Sequence, residues 1–198
     1  MLPADSLSTS AVPSNYLFPD ILPPADDLDY ELGGIGLNDP SAGMLFQVWT
    51  GRLVIDPLTD VGSFFLSAPN TPEVLTLAGV GISDISFCFD QNMQPFVAFV
   101  QAGQAKYRWF DPTVNLQIIT DLPAGTGTPR SCLDDKRFLQ NSISDVILTY
   151  TRSGNLYYRQ QRDRYGVEYL LATEVVGQVL QVGMNVGNRL QFALGELL

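Results

Sequence analysis

The stretch LYYRQQRDRYGVEY, residues 156–169, gathers Arg159, Arg162 and Arg164 with Tyr157, Tyr158, Tyr165 and Tyr169, and Arg152 stands just upstream. Cations interleaved with aromatic rings can neutralise phosphates and stack on bases, the chemistry of a nucleic-acid surface. The same residues can instead wall a sheet, with arginines laid over tyrosines in cation–π contacts worth about 0.5–1 kcal/mol when exposed. Net charge separates the two readings. Eleven Lys and Arg stand against 21 Asp and Glu, a net −10, which opposes binding to a phosphate backbone. The expectation is a sheet face or a contact with an acidic neighbour, and no specific nucleic-acid partner.

Other chemistry is poorly supplied. The chain has no histidine, so the familiar nucleophile–base pairs and the usual zinc spacings cannot be built. Cys88 and Cys132 are too few for a disulfide framework and sit among apolar neighbours, so both read as small core residues. Two carboxylates facing each other across a cleft, about 5–9.5 Å apart, would suit glycoside hydrolysis. The candidates, Asp26-Asp27 and Asp134-Asp135, are adjacent in sequence, and adjacent side chains on a strand point apart. GGIG at 33–36 lacks the Lys-Ser/Thr of a phosphate loop and reads as a turn. No loop has the spacing of a calcium site. These residues predict no enzyme, no metal and no cofactor.

The elements that must position these side chains read as strands. FQVWTGRLVI (46–55) alternates and is expected to turn at Thr50-Gly51; SDISFCFD (83–90) alternates; PFVAFVQAGQAKYRWF (95–110) and VILTYTRSGNLYYRQQ (146–161) are each two β-rich runs about a glycine turn. QVLQVGMNV and NRLQFAL follow, and capped 3.6-residue periodicity is scarce. In this register Leu156 and Tyr158 share one face, Tyr157 and Arg159 the other, and RDRYG turns toward VEYLLA.

The hairpins repeat. Cys88 aligns with Cys132 and Asp90 with Asp134, the acids as caps of equivalent turns, while Gly103, Tyr107 and Arg108 align with Gly154, Tyr158 and Arg159 after an inserted loop. A partial third copy matches LSAPNTPEVLTLAG to FDPTVNLQIITDLPAG. Repeats of this size, made of four short strands, are blade-like. The expected fold is all-β: repeated antiparallel blades, a partial propeller or a sandwich, at about 80–123 and 124–175 within a β domain of residues 46–198. Too few copies to close a ring leaves edges for an arm or other chains to cover.

Residues 1–45 read as an extended, acidic, proline-rich docking arm. The first 40 residues hold six prolines, seven acids and no Lys or Arg, with Tyr16, Phe18 and Tyr30 among apolar teeth able to dock on a partner. Charge is uneven along the chain: residues 1–105 carry 12 acids and one base, a sum of −11, and residues 106–198 carry 9 acids and 10 bases, a sum of +1. Such a dipolar chain can attract copies of itself. No basic start with an apolar signal run and no stretch of about 18 apolar residues occurs, so neither cleaved-signal export nor a membrane partner is expected.

FDQNMQPFVAFVQAGQAKYRWFD, LDDKR, SDVILTYTRSGNLYYRQQRDRYGVEYLL and VGMNVGNRLQFAL together resemble a group of virion-associated proteins of tailed bacteriophages, over roughly residues 80–194. The resemblance implies a structural part of the tail or head-to-tail region, a homo-oligomer among other virion structural proteins. Its location would be the virion, after synthesis in the host cytoplasm. Tyr157, Tyr158, Arg159, Arg162 and Arg164 would be packing or interface residues. The group has no common catalytic site to carry over. The alternatives are a receptor- or glycan-binding tail module stacking sugars on Trp109, Tyr107 and Tyr157, and a glycan-degrading enzyme.

Overall fold

The computed structural model describes residues 30–37, 46–68, 71–90, 92, 94–134, 145–184 and 189–195. The first sheet contains β1 (Tyr30–Leu37), β2 (Phe46–Asp56), β3 (Val61–Ala68) and β4 (Thr71–Val80). The second contains β5 (Ile82–Phe89), β6 (Pro95–Gln101), β7 (Gln104–Asp111) and β8 (Leu116–Asp121). The third contains β9 (Arg130–Leu133), β10 (Val146–Arg152), β11 (Asn155–Gln160) and β12 (Tyr169–Ala172), and the fourth only β13 (Gln178–Met184) and β14 (Leu190–Gly195). Each sheet is an antiparallel meander in chain order. The fold is all-β, and one 3-10 turn, Gln161–Asp163, is the helical element among the described residues.

The sheets stack as blades. Their first strands, β1, β5, β9 and β13, pack beside one another in succession, while β13 and β1 show no comparable packing, so the series stays open among the described residues. Three apolar layers fill the spaces between sheets. Leu53, Phe64, Phe87 and Phe99 lie between the first and second sheets. Phe96, Tyr107, Leu148 and Tyr150 lie between the second and third, and Cys132, Ile147, Leu156 and Val182 between the third and fourth. Burying each large apolar side chain contributes about 1.5–3 kcal/mol. A middle blade is covered on both faces, so its central strands need apolar residues on both. That is why PFVAFV runs without alternation: Phe96 and Ala98 enter one layer, Val97 and Phe99 the other.

The sequence repeat is a structural one. Cys88 pairs with Phe96 and Cys132 with Ile147 at matching places in β5 and β9. The next-but-one residues close the same backbone bond, Asp90 N–H to Gln94 O at 2.9 Å and Asp134 N–H to Asp145 O at 2.7 Å. Ala102-Gly103 and Ser153-Gly154 turn alike, at φ 48° and 78° and at φ 51° and 72°, left-handed pairs that suit a two-residue hairpin. The partial third copy also falls at one place, from the third strand into the fourth of the first and second sheets.

Three expectations are corrected. No turn occurs at Thr50-Gly51, because β2 runs straight through. A Cβ on Gly51 would lie 2.7 Å from Phe64 Cζ and 2.8 Å from Phe87 Cε1, so this glycine serves close approach between sheets rather than chain reversal. GGIG is likewise no turn; it lies inside β1, where Gly33 and Gly34 face Thr50 and Trp49. The arm boundary expected at residue 45 therefore falls within the first sheet, because Tyr30–Leu37 ladders with β2.

Candidate interaction surface

The arginine–tyrosine stretch starts on β11, whose alternation sends Leu156 and Tyr158 toward the fourth sheet and Tyr157 toward the second. Arg159 donates from Nε to Tyr150 Oη at 2.8 Å and from Nη1 to Tyr165 O at 2.9 Å, and lies 3.5 Å from Glu168 Oε2. Arg152 donates from Nη1 to Glu168 Oε2 at 3.1 Å and stands 4.8 Å over the Tyr157 ring. Tyr150 gives its hydroxyl proton to Glu168 Oε2 at 2.5 Å. Burial opposes the Glu168 charge, but these hydrogen bonds and the two guanidiniums hold its carboxyl below the usual range. Burial, and then the hydrogen bond to Glu168, push the Tyr150 phenol up.

The 3-10 turn fastens the bottom of two blades. Gln161 donates to Asp90 Oδ2 at 2.9 Å and accepts the Val146 N–H at 3.3 Å. Arg162 donates its backbone N–H to Asp145 Oδ1 at 3.0 Å and Nε to Oδ2 at 2.5 Å, and Arg164 pairs with Asp111. Arg164 and Tyr165 then adopt left-handed backbone at φ 51° and 57°, which costs about 1–2 kcal/mol per residue away from glycine. That reversal drives Tyr165, 1% exposed, among Phe96, Tyr107 and Trp109, with ring centroids at 5.1, 5.2 and 5.2 Å.

The arginines of this stretch thus take partners inside the chain, although Arg162 and Arg164 keep half their side chains exposed. Tyr16 and Phe18 lie outside the described residues, and Tyr30 opens β1 opposite Leu53. Tyr107 and Trp109 are corrected from sugar platforms to core residues, since the layer between the second and third sheets buries both. The recess beside them, lined by Asp90, Phe96, Trp109, Val146 and Tyr165, measures about 10 Å³, room for about one water and no sugar ring. Asp134 is buried, while Asp26, Asp27 and Asp135 lie outside the described residues. Burial pushes both thiols, Cys88 and Cys132, up, which keeps them protonated and unreactive. Among the described residues no group of three His, Cys, Asp or Glu side chains could hold a metal, and no helix is long and apolar enough to cross a membrane.

The surface has a repeated feature that sequence reasoning missed. β4, β8 and β12 are the last strands of their sheets, each with one edge that pairs with no other strand among the described residues. Leu75 and Val80 on β4, Leu116 and Ile119 on β8 and Leu170 on β12 are more than half exposed. Natural edge strands are usually blunted by charge or kept short, because an apolar edge templates further pairing. Here the same blade position is apolar three times, giving a rim suited to contact with other chains. The signal was present in EVLTLAGV, LQIITD and YLLA, but composition alone cannot separate a buried apolar strand from an exposed one.

No family model, no curated protein and no solved structure matches the chain.

Proposed function

We propose that this chain is a non-catalytic structural component of a bacteriophage virion, in the tail or head-to-tail region. In this reading it assembles as a symmetric oligomer and binds neighbouring virion proteins through its N-terminal arm. The observation that carries the assembly reading is the apolar rim formed by β4, β8 and β12 on a series of blades that stays open among the described residues. Exposed apolar edges are retained at a cost in solubility, and partners that cover them remove that cost. The virion assignment rests on the sequence resemblance over residues 80–194. Core burial of Tyr107 and Trp109 disfavours the glycan-binding alternative.

The test is the mass of the purified full-length chain by light scattering, together with antibody labelling of phage particles from cells producing it. A single oligomer of fixed size and labelled particles are expected. A monomer at every concentration, with unlabelled particles, would sink the reading.

A further inference from the structure

Arg108 and Arg159 stand at the same place in successive blades. Arg108 faces Val97 across its ladder and Arg159 faces Leu148. Val97 belongs to the layer between the first and second sheets, and Leu148 to the layer between the second and third. Residues opposite one another share a face of the sheet, so each arginine is directed at the blade before it.

Their surroundings differ. Arg159 has a phenol in Tyr150 at 2.8 Å, a backbone carbonyl in Tyr165 at 2.9 Å and a carboxylate in Glu168 at 3.5 Å. The carbonyl and the carboxylate come from residues 161–168, the connection between β11 and β12, which folds back so that Tyr165 enters the layer between the second and third sheets. In the second blade the same connection is only residues 112–115, a tight turn held on Asp111 Oδ1 by the Thr113 N–H at 2.9 Å. Phe99 stands at the place of Tyr150 and has no hydroxyl. Arg108 Nη1 is accordingly buried with no acceptor among the described residues, and burial holds this guanidinium below its usual range. Arg52, Arg152, Arg159, Arg162 and Arg164 each have an acid beside them. Arg108 has none among the described residues.

The walls near Arg108 are apolar and open. Ile119 of β8 lies directly opposite Arg108, and Gln117 is on the same face of that strand. Val74 of β4 pairs with Leu66, which enters the layer between the first two sheets, so Val74 is directed at the second blade. Val74 is 52% and Ile119 51% exposed. Gln117 Oε1 is a second buried atom with no partner among the described residues. The outer strands β4 and β8 therefore present an unpaired donor, an unpaired acceptor and two exposed apolar side chains, the complement of an extended peptide.

We infer that the groove between β4 and β8 takes an extended, acid-bearing segment of a partner protein, its carboxylate on Arg108 as Glu168 is on Arg159. A backbone N–H of the segment satisfies Gln117, and an apolar side chain next to the acid covers Val74 and Ile119. The charge selects the carboxylate, because a buried guanidinium without a counter-ion gains most from a charged acceptor. This names the chemistry that one stretch of the apolar rim accepts, and so rests on that rim being a contact surface.

The probe is an acetylated and amidated peptide copying residues 166–170, GVEYL, titrated into the full-length protein and followed by the methyl NMR signals of Val74 and Ile119 and the side-chain N–H signals of Arg108. Saturable shifts at all three residues are expected. The Glu168→Gln version of the peptide, and the native peptide on an Arg108→Met protein, should each bind about tenfold more weakly, the scale of one charge-assisted hydrogen bond. Urea unfolding supplies the control for folding. Arg108→Met should leave the midpoint unchanged or raise it, since that guanidinium has no partner to lose, whereas Arg159→Met should lower it. Three outcomes overturn the inference: no saturable shift with the peptide, the same shifts with acetate alone, or a loss of stability in Arg108→Met equal to that in Arg159→Met. A fixed-size oligomer that fails to bind the peptide would sink the groove assignment and leave the assembly reading standing.

Discussion

Ser131 donates its backbone N–H to Ser86 Oγ at 3.0 Å, and the two hydroxyl oxygens lie 3.3 Å apart, both fully buried. Ser131 belongs to β9, which ladders with β10 on one side. Its N–H points away from that ladder toward β5 of the preceding blade, where a side chain rather than a backbone carbonyl receives it. The contact is a buried polar tie between adjacent blades.

Ser86→Ala is expected to destabilise the protein by about 1–3 kcal/mol, the cost of a buried donor left without a partner. Ser131→Ala removes a hydroxyl but keeps the N–H bond, and should cost less. Urea unfolding of the two variants compares them, and equal losses would show that the N–H to Oγ bond contributes nothing.

Tyr165 joins a strained reversal to an aromatic core. Tyr165→Ala should cost about 3–5 kcal/mol, as for other buried aromatic rings, whereas Tyr165→Phe keeps the ring contacts and should cost less than about 1.5 kcal/mol. The midpoints of guanidinium unfolding decide the matter. A loss under 1 kcal/mol in the alanine variant would mean that the RDRYG turn does not anchor the blade pair.

The cluster of Tyr150, Glu168, Arg152 and Arg159 predicts a pH profile. Glu168 has its folded pKa lowered, so its contribution is present above the ordinary glutamate value of about 4.3 and fades as pH falls through the folded value. Asp111, held low by hydrogen bonds from Thr113 and the Arg164 pair, acts in the same direction. Tyr150 has its folded pKa raised, so its contribution is complete below about pH 10 and declines above it. Glu168→Gln should cost about 1–3 kcal/mol at pH 7 through lost charged hydrogen bonds, and the difference from the native chain should shrink as pH falls below the ordinary glutamate value and through the lowered folded one. Thermal midpoints between pH 2.5 and 11 test this, and parallel curves for the two proteins would refute it.

Alternation and turn chemistry were legible without coordinates. Gly103 and Gly154 mark reversals because a two-residue hairpin needs left-handed backbone, and both residues adopt it. The correspondence of Cys88 with Cys132 followed from local sequence, since equivalent blade positions face the same environment. The scarcity of helix was equally readable, because hardly any stretch carries sustained 3.6-residue periodicity with caps.

The partners of these residues came only from the folded chain. Arg164 meets Asp111 across 53 residues and Arg162 meets Asp145 across 17, separations at which sequence carries no contact signal. The same distance effect hid the role of Gly51, which looks like a turn residue until Phe64 and Phe87 are placed against it. Tyr107 and Trp109 look like exposed platforms until Tyr165 closes over them. The sequence by itself determined that the chain makes short strands in repeated hairpins, because side-chain period and turn backbone are local properties. Tertiary structure decided which faces are covered and which edges stay open, because burial depends on what another part of the chain sets opposite.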